Sequence, residues 1–164
     1  MDATEAFGAL TAALDYPMYV VTLTGAGRRA GCLVGFGTQC SIDPPRLLVC
    51  LSRQNHTCRV AKDAERLAVH LLGADQRPLA ELFGTETGDD LDKFERCAWT
   101  PAPDGTPLLD DCPNRIVGPV SDRVELGDHV GHVVDLEEAS VAGDRPGRLL
   151  TFQAVRDLEP GHPA

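Results

Sequence analysis

The feature that most constrains this chain is its punctuation. Short runs of β-branched and aliphatic residues are cut off again and again by Gly, Pro and Asp turn signals. A chain interrupted so often has little room for long helices and must bury its apolar runs by pairing strands. Met18–Thr24 reads as the first strand, closed by the turn Gly25-Ala26-Gly27. Residues 30–41 continue extended, with three glycines among them, until Asp43-Pro44-Pro45 forces a turn. Arg46–Leu51 and Leu67–Leu72 are continuous apolar runs, the pattern of strands buried on both faces. Arg115–Leu126 and His129–Glu138 flank Gly127-Asp128, a tight hairpin signal, and Leu149–Val155 reads as a last strand.

Few helices fit between these runs. Asp2 and Glu5 have capping-box spacing, and Phe7, Leu10 and Leu14 share one face of an N-terminal helix over about residues 3–14. Asn55 caps a short helix through Ala61. Asp75 is placed to cap another, with Pro78 in its first turn and Gly84 at its close. The stretch 85–111 is polar and proline-rich, with a short helix around Lys93, and a connection of that length is often functional. With 164 residues, no internal repeat and a Pro/Gly tail from about residue 157, the chain reads as one domain. Its fold class is mainly β: an antiparallel barrel with a few flanking helices.

Charge excludes some partners. The formal net charge is −10, which repels a phosphate backbone, so no nucleic acid is expected. No apolar stretch approaches the roughly 20 residues that span a bilayer, so no membrane is expected either. The acidic opening Met1-Asp2-Ala3-Thr4-Glu5 lacks the basic region of a signal peptide, which points to the cytoplasm. There the six cysteines (Cys32, Cys40, Cys50, Cys58, Cys97 and Cys112) read as small, reduced, buried residues, and no C-x-x-C spacing suggests metal.

Three stretches bear on chemistry. Glycines in Gly31–Gly37 leave backbone bare, which serves either a bulge that closes a small barrel or a flat ring lying against free N–H groups. Ser52-Arg53-Gln54-Asn55-His56-Thr57 gathers hydroxyls, a guanidinium and a helix start, which suits a phosphate; read alone, it favours an ordinary capped helix. In Gly127-Asp128-His129 and the strand beyond, alternation puts Val130, His132, Val134 and Leu136 on one face and His129 on the other. His132 and His70 are therefore expected as hydrogen-bonded core residues and His129 as the histidine of a pocket. No G-x-S-x-G, H-E-x-x-H, Walker loop or G-x-G-x-x-G is present.

Together these stretches resemble the flavin reductase family, from about Phe7 to Val155. The resemblance is carried by Ser41-Ile42-Asp43-Pro44-Pro45, then Leu47-Leu48-Val49-Cys50-Leu51, then Leu67–Leu72 with Asp75-Gln76, and finally Gly127-Asp128-His129. It implies an FMN-binding split β-barrel working as a homodimer. It also implies FMN (or FAD) as cofactor, NADH or NADPH as hydride donor, and a flavin-dependent monooxygenase as a possible recipient of the reduced flavin. By the same resemblance, Leu33, Val34, Gly35, Phe36 and Gln39 meet the isoalloxazine, and Ser41 stands where the family has a matching serine. Ser52, Arg53, Asn55 and Thr57 meet the ribityl and phosphate side, with Asp128 beside the pocket. His129 lies near nicotinamide and flavin. The family often has Thr and paired Ser or Asn where this chain has Leu33, Gly35 and Phe36, and its usual Asn in the later buried strand is His70 here. Three alternatives stand beside this reading: a deazaflavin-dependent oxidoreductase, a flavin- or haem-binding module without turnover, and a structural dimer with an empty barrel.

Overall fold

The computed structural model describes residues 1–161. Its helices are α1 (Ala3–Ala12), α2 (His56–Ala61), α3 (Arg77–Thr85) and α4 (Phe152–Val155), with a single 3-10 turn at Lys93–Glu95. Its strands are β1 (Tyr19–Gly25), β2 (Arg28–Val34), β3 (Gly37–Ser41), β4 (Arg46–Ser52), β5 (Arg66–Leu71), β6 (Trp99–Pro101), β7 (Pro107–Leu109), β8 (Arg115–Glu125), β9 (His129–Asp135) and β10 (Glu138–Ser140). One antiparallel sheet runs in the order β2-β1-β5-β8-β9-β4-β3, with β10 on β8, while β6 and β7 form a separate hairpin.

The sheet is curled, because strands far apart in that order share one core. Val21 and Leu23 of β1, Cys32 and Val34 of β2, Val49 and Leu51 of β4, Leu67 and Val69 of β5 and Val134 of β9 pack in a single cluster with Cys58, Val60 and Ala61 of α2. Helix α2 thus enters the barrel. A second cluster on the outside joins Val20, Phe83, Phe94, Leu109 and Leu150. The mainly β barrel with flanking helices is what the chain adopts. Among the described residues, no helix is long and apolar enough to cross a membrane.

Several local expectations need correction. The extended run 30–41 is broken at Gly35 and Phe36, which belong to neither β2 nor β3. The N-cap of α3 is Gln76 rather than Asp75; the Gln76 Oε1 turns back to accept from the Gly73 N–H at 2.7 Å. Gly84 lies inside the last turn of α3. The run 149–155 is not a strand: Leu149 and Thr151 make only isolated bridges to Gly73 and Pro17, after which the chain turns into α4. The capping box of α1 is present, with Asp2 Oδ1 accepting from the Glu5 N–H at 2.8 Å, but its apolar face is not core: Phe7 is 68% exposed and Leu10 71%. Cys32, Cys58 and Cys112 are buried as expected, Cys50 and Cys97 are half-buried, and Cys40 is exposed on β3. The tail beyond Gly161 lies outside the described residues.

His70 and His132 are both core residues. The His70 Nδ1 lies 3.0 Å from the Val20 carbonyl and its Nε2 3.0 Å from the Leu109 N–H. A carbonyl on one side and an N–H on the other require a neutral ring protonated at Nδ1. Burial pushes its pKa down from 6.5 to about 4. The His132 Nδ1 lies 3.1 Å from the Val130 carbonyl, and burial lowers its pKa as well. Both rings are engaged inside the protein, which takes His70 out of any haem-ligand role.

Candidate active site

A cleft of about 220 Å³ opens where β2 leaves the sheet. Leu33, Val34, Gly35 and Phe36 line one side, Cys50, Leu51 and Ser52 of β4 another, and Asn55, His129, Tyr16, Met18, Cys32 and Phe152 complete it. Its size suits one fused planar ring system rather than a whole nucleotide, so anything attached to such a ring must run outward.

The bare backbone here is enforced by neighbours. A Cβ on Gly35 would stand 2.9 Å from the Tyr16 ring, and one on Gly37 2.8 Å from the Tyr19 ring. The Phe36 carbonyl accepts from the Cys50 N–H at 2.8 Å, tying the segment to β4. The walls are aromatic: Tyr16 and Phe152 stack with centroids 4.9 Å apart at 13°, and Phe36 lies 5.0 Å from the His129 ring at 45°.

The β8–β9 hairpin supplies the polar edge. His129 Nδ1 sits 2.6 Å from Asp128 Oδ1, and this contact holds the Asp128 carboxyl below its usual range. His129 faces Ser52 across the β4–β9 pairing. Arg53 fastens the turn: its N–H donates to the Asp128 carbonyl at 2.9 Å, its Nε to the Gly127 carbonyl at 2.8 Å, and its guanidinium pairs with Glu125.

The fold therefore gathers Leu33, Val34, Gly35, Phe36, Ser52, Asn55 and His129 around one cleft. The other expected site residues lie elsewhere. Gln39 stands on an edge strand beside a separate apolar groove with Pro45, Leu47 and Leu136, and Ser41 ends the same strand. Thr57 is buried in the barrel, while Arg53 and Asp128 support the hairpin from outside the cleft lining. Tyr16, Met18 and Phe152 were not foreseen. Cys32 and Cys50 were, in principle, readable from strand alternation.

Replacing Arg53 with Met keeps the stem and removes the clamp. The expected result is a several-fold loss of turnover at a stability cost below about 1 kcal/mol, since the ion pair is exposed. A parallel titration with FMN and riboflavin checks the other role: a loss confined to FMN would place the guanidinium on the phosphate.

A larger cavity of about 480 Å³ lies across β2, lined by Arg29, His56, Asp89, Asp92 and Lys93. Several of its polar side chains are already engaged. Arg29 pairs with Asp92, His56 and Arg59 with Asp89, and the buried Lys93 ammonium donates to the Gly31 and Phe83 carbonyls, each at 3.0 Å.

The model of the flavin reductase like domain matches residues 11–159. The chain is 32% identical over 128 residues to FMN reductase (NADH) RutF of Bradyrhizobium diazoefficiens, covering 78% of this chain and 68% of the relative. It is 30% identical over 145 residues to the stachydrine N-demethylase reductase subunit Stc3 of Rhizobium meliloti, covering 85% of this chain and 59% of that one. The crystal structure of a flavin reductase domain protein from Arthrobacter sp. FB24 superposes with a TM-score of 0.82 at 21% identity, covering 98% of this chain and 96% of that one. That likeness establishes the split-barrel fold, and the match across nearly the whole chain establishes the family: this protein belongs to the flavin reductases.

Proposed function

We propose that this chain is an NADH- or NADPH-dependent flavin reductase acting on FMN or FAD. The observation that carries the reading is the cleft: bare backbone at Gly35, two aromatic pairs, and a histidine fixed by its neighbouring carboxylate. Such a site fits a flat, fused ring. A flavin bound there supplies the redox chemistry, accepting hydride at N5 from the nicotinamide. The protein's part is binding and orientation. The segment 33–36 gives the ring a surface, Ser52 and Asn55 stand where its polar side chain leaves, and His129 edges the reacting face. No side chain is needed as a general acid or base.

A homodimer fits the exposed apolar stripe of α1 and Ile42, which is 83% exposed. The reductase subunit among the relatives supports transfer of reduced flavin to a separate monooxygenase. Six unpaired cysteines suit a reducing, cytoplasmic setting. The chain would work as one split-barrel domain.

The cleft assignment is tested by Gly35→Val, which drives a branched side chain into the Tyr16 ring. FMN affinity, followed by quenching of flavin fluorescence, should fall at least about tenfold, equivalent to 1.4 kcal/mol or more. A thermal melt beside the titration separates lost binding from lost folding, since the displaced Tyr16 ring should cost about 1–3 kcal/mol of stability. Undiminished FMN binding by the variant would place the flavin elsewhere.

A further inference from the structure

The Tyr16–Phe152 wall of the cleft is built from opposite ends of the chain, and the residues beside the two rings join those ends. The Phe152 N–H donates to the Tyr16 carbonyl at 2.8 Å. One residue further out on each side, the Gln153 N–H donates to Asp15 Oδ1 at 2.9 Å, and the same oxygen accepts from the Tyr16 N–H at 3.1 Å. The Gln153 side chain reaches past Asp15. Its Nε2 donates to the Leu14 carbonyl at 2.7 Å and to the Ala12 carbonyl at 3.0 Å, and its Oε1 accepts from Arg156 at 2.9 Å. Both N–H groups and the oxygen of that amide are therefore engaged.

What this network holds is not core. None of the residues of α1 is buried, so fastening its end adds no apolar packing. Exposed hydrogen bonds of this kind also add little to stability. What they do fix is the Tyr16 ring. It stands 2.9 Å from where a Cβ on Gly35 would be, and it stacks on Phe152 with centroids 4.9 Å apart at 13°. The far end of α4 is fastened as well: Arg77 of α3 donates to the Ala154 carbonyl at 2.5 Å and pairs with Asp157 at 2.7 Å. A helix of four residues is thus tied at both ends, with Phe152 turned to the cleft.

Resting on the reductase reading above, we propose that Asp15 and Gln153 are positioning residues for flavin binding: they latch the two ends of the chain together so that Tyr16 and Phe152 stand preformed as a wall for the ring in the cleft. Neither residue lines the cleft itself. A wall already in place costs the ligand no ordering when it binds. The latch therefore acts on affinity for the flat ring rather than on the hydride step.

The test uses the full chain as wild type, Asp15→Ala, Asp15→Asn and Gln153→Glu. FMN affinity is followed by fluorescence quenching, the setting of the bound ring by visible circular dichroism at saturating FMN, and folding by a thermal melt. The KM for FMN is measured separately from kcat. Asp15→Ala removes the acceptor, and Gln153→Glu keeps the shape but sets a carboxylate where two carbonyls need a donor. Each should weaken FMN binding and raise its KM by about three- to tenfold, with a smaller dichroic band. The melting temperature should stay near wild type and kcat should change by less than about twofold. Asp15→Asn keeps an acceptor oxygen and should restore most of the affinity. Combining Asp15→Ala with Gln153→Glu should cost no more than the worse single change, since both open one latch. Wild-type affinity and dichroism in Asp15→Ala and Gln153→Glu, in a protein that binds FMN, overturn the latch alone. So does an Asp15→Asn protein as impaired as Asp15→Ala, or an affinity loss that only accompanies a matching fall in melting temperature. A wild-type protein that binds no FMN overturns the reductase reading and this assignment with it.

Discussion

Replacing His129 with alanine is expected to slow reduction of FMN by NADH about ten- to hundredfold, since a small loss of alignment between reacting rings is costly. The melting temperature should move by no more than about 2 °C. The separation follows from where the ring sits. It lines the cleft, it is held at 2.6 Å by the exposed Asp128 carboxylate, and it belongs to neither core cluster. Its removal opens the rim without opening the barrel. Asp128→Asn should give a smaller loss of the same kind, because the amide still reaches the ring but no longer fixes it with a charge. Single-turnover reduction followed in the flavin's visible band, beside a thermal melt, checks both. Parallel losses in rate and melting temperature would make His129 a structural residue.

The second large effect is on stability. His70→Ala should cost about 3–5 kcal/mol, because it leaves a cavity and strands the Val20 carbonyl and the Leu109 N–H inside the protein. Those two groups tie β1 and β7 to β5 through one ring, so the loss should reach the β6–β7 hairpin first. The same ring makes stability depend on pH. Its folded pKa is depressed to about 4 from 6.5, so the unfolded chain takes up the proton first as pH falls. The stabilisation is complete above pH 6.5 and is lost as pH falls towards 4, amounting to about 3 kcal/mol in all. Denaturant unfolding at a series of pH values measures the slope. His70→Asn keeps a donor and an acceptor without titrating there, and should flatten that part of the curve. An unchanged slope in this variant would assign the acid sensitivity to other groups.

How much of this could be read in advance depended on how far apart in the chain the partners lie. Gly127-Asp128-His129 was readable because the turn is local and alternation then decides which histidine faces in; His132 is buried and His129 edges the cleft, as expected. The runs around Leu48 and Val69 announced themselves as buried strands by composition alone. Gly35 was ambiguous between bulge and bare surface. Only the Tyr16 ring, brought in from before β1, shows that no side chain fits there. Tyr16 and Phe152 carry no local signal, because a bridge from Pro17 to Thr151 joins opposite ends of the chain. The residues around Phe152 have strand propensity, but that bridge leaves no ladder to extend, and the chain turns into α4 instead. Arg53 was tied to the phosphate by the family resemblance rather than by its local setting, and its hydrogen bonds run to Gly127 and Glu125 across the β4–β9 register. Phe7 and Leu10 share the expected face of α1, while the helix ends at Ala12 and leaves Leu14 beyond it; periodicity cannot say whether a core or another surface covers that face.

In the proposed reaction this barrel brings a flavin and a reduced nicotinamide together in the cleft at Gly35. The most direct measurement is the oxidation of NADH, and separately NADPH, by the purified protein under anaerobic conditions, with and without added FMN, while the visible flavin band is followed. The nicotinamide is expected to be consumed only when FMN is present, added or carried by the protein, with the flavin band bleaching in step. A protein that binds FMN yet leaves both the nicotinamide and the flavin band unchanged would contradict it.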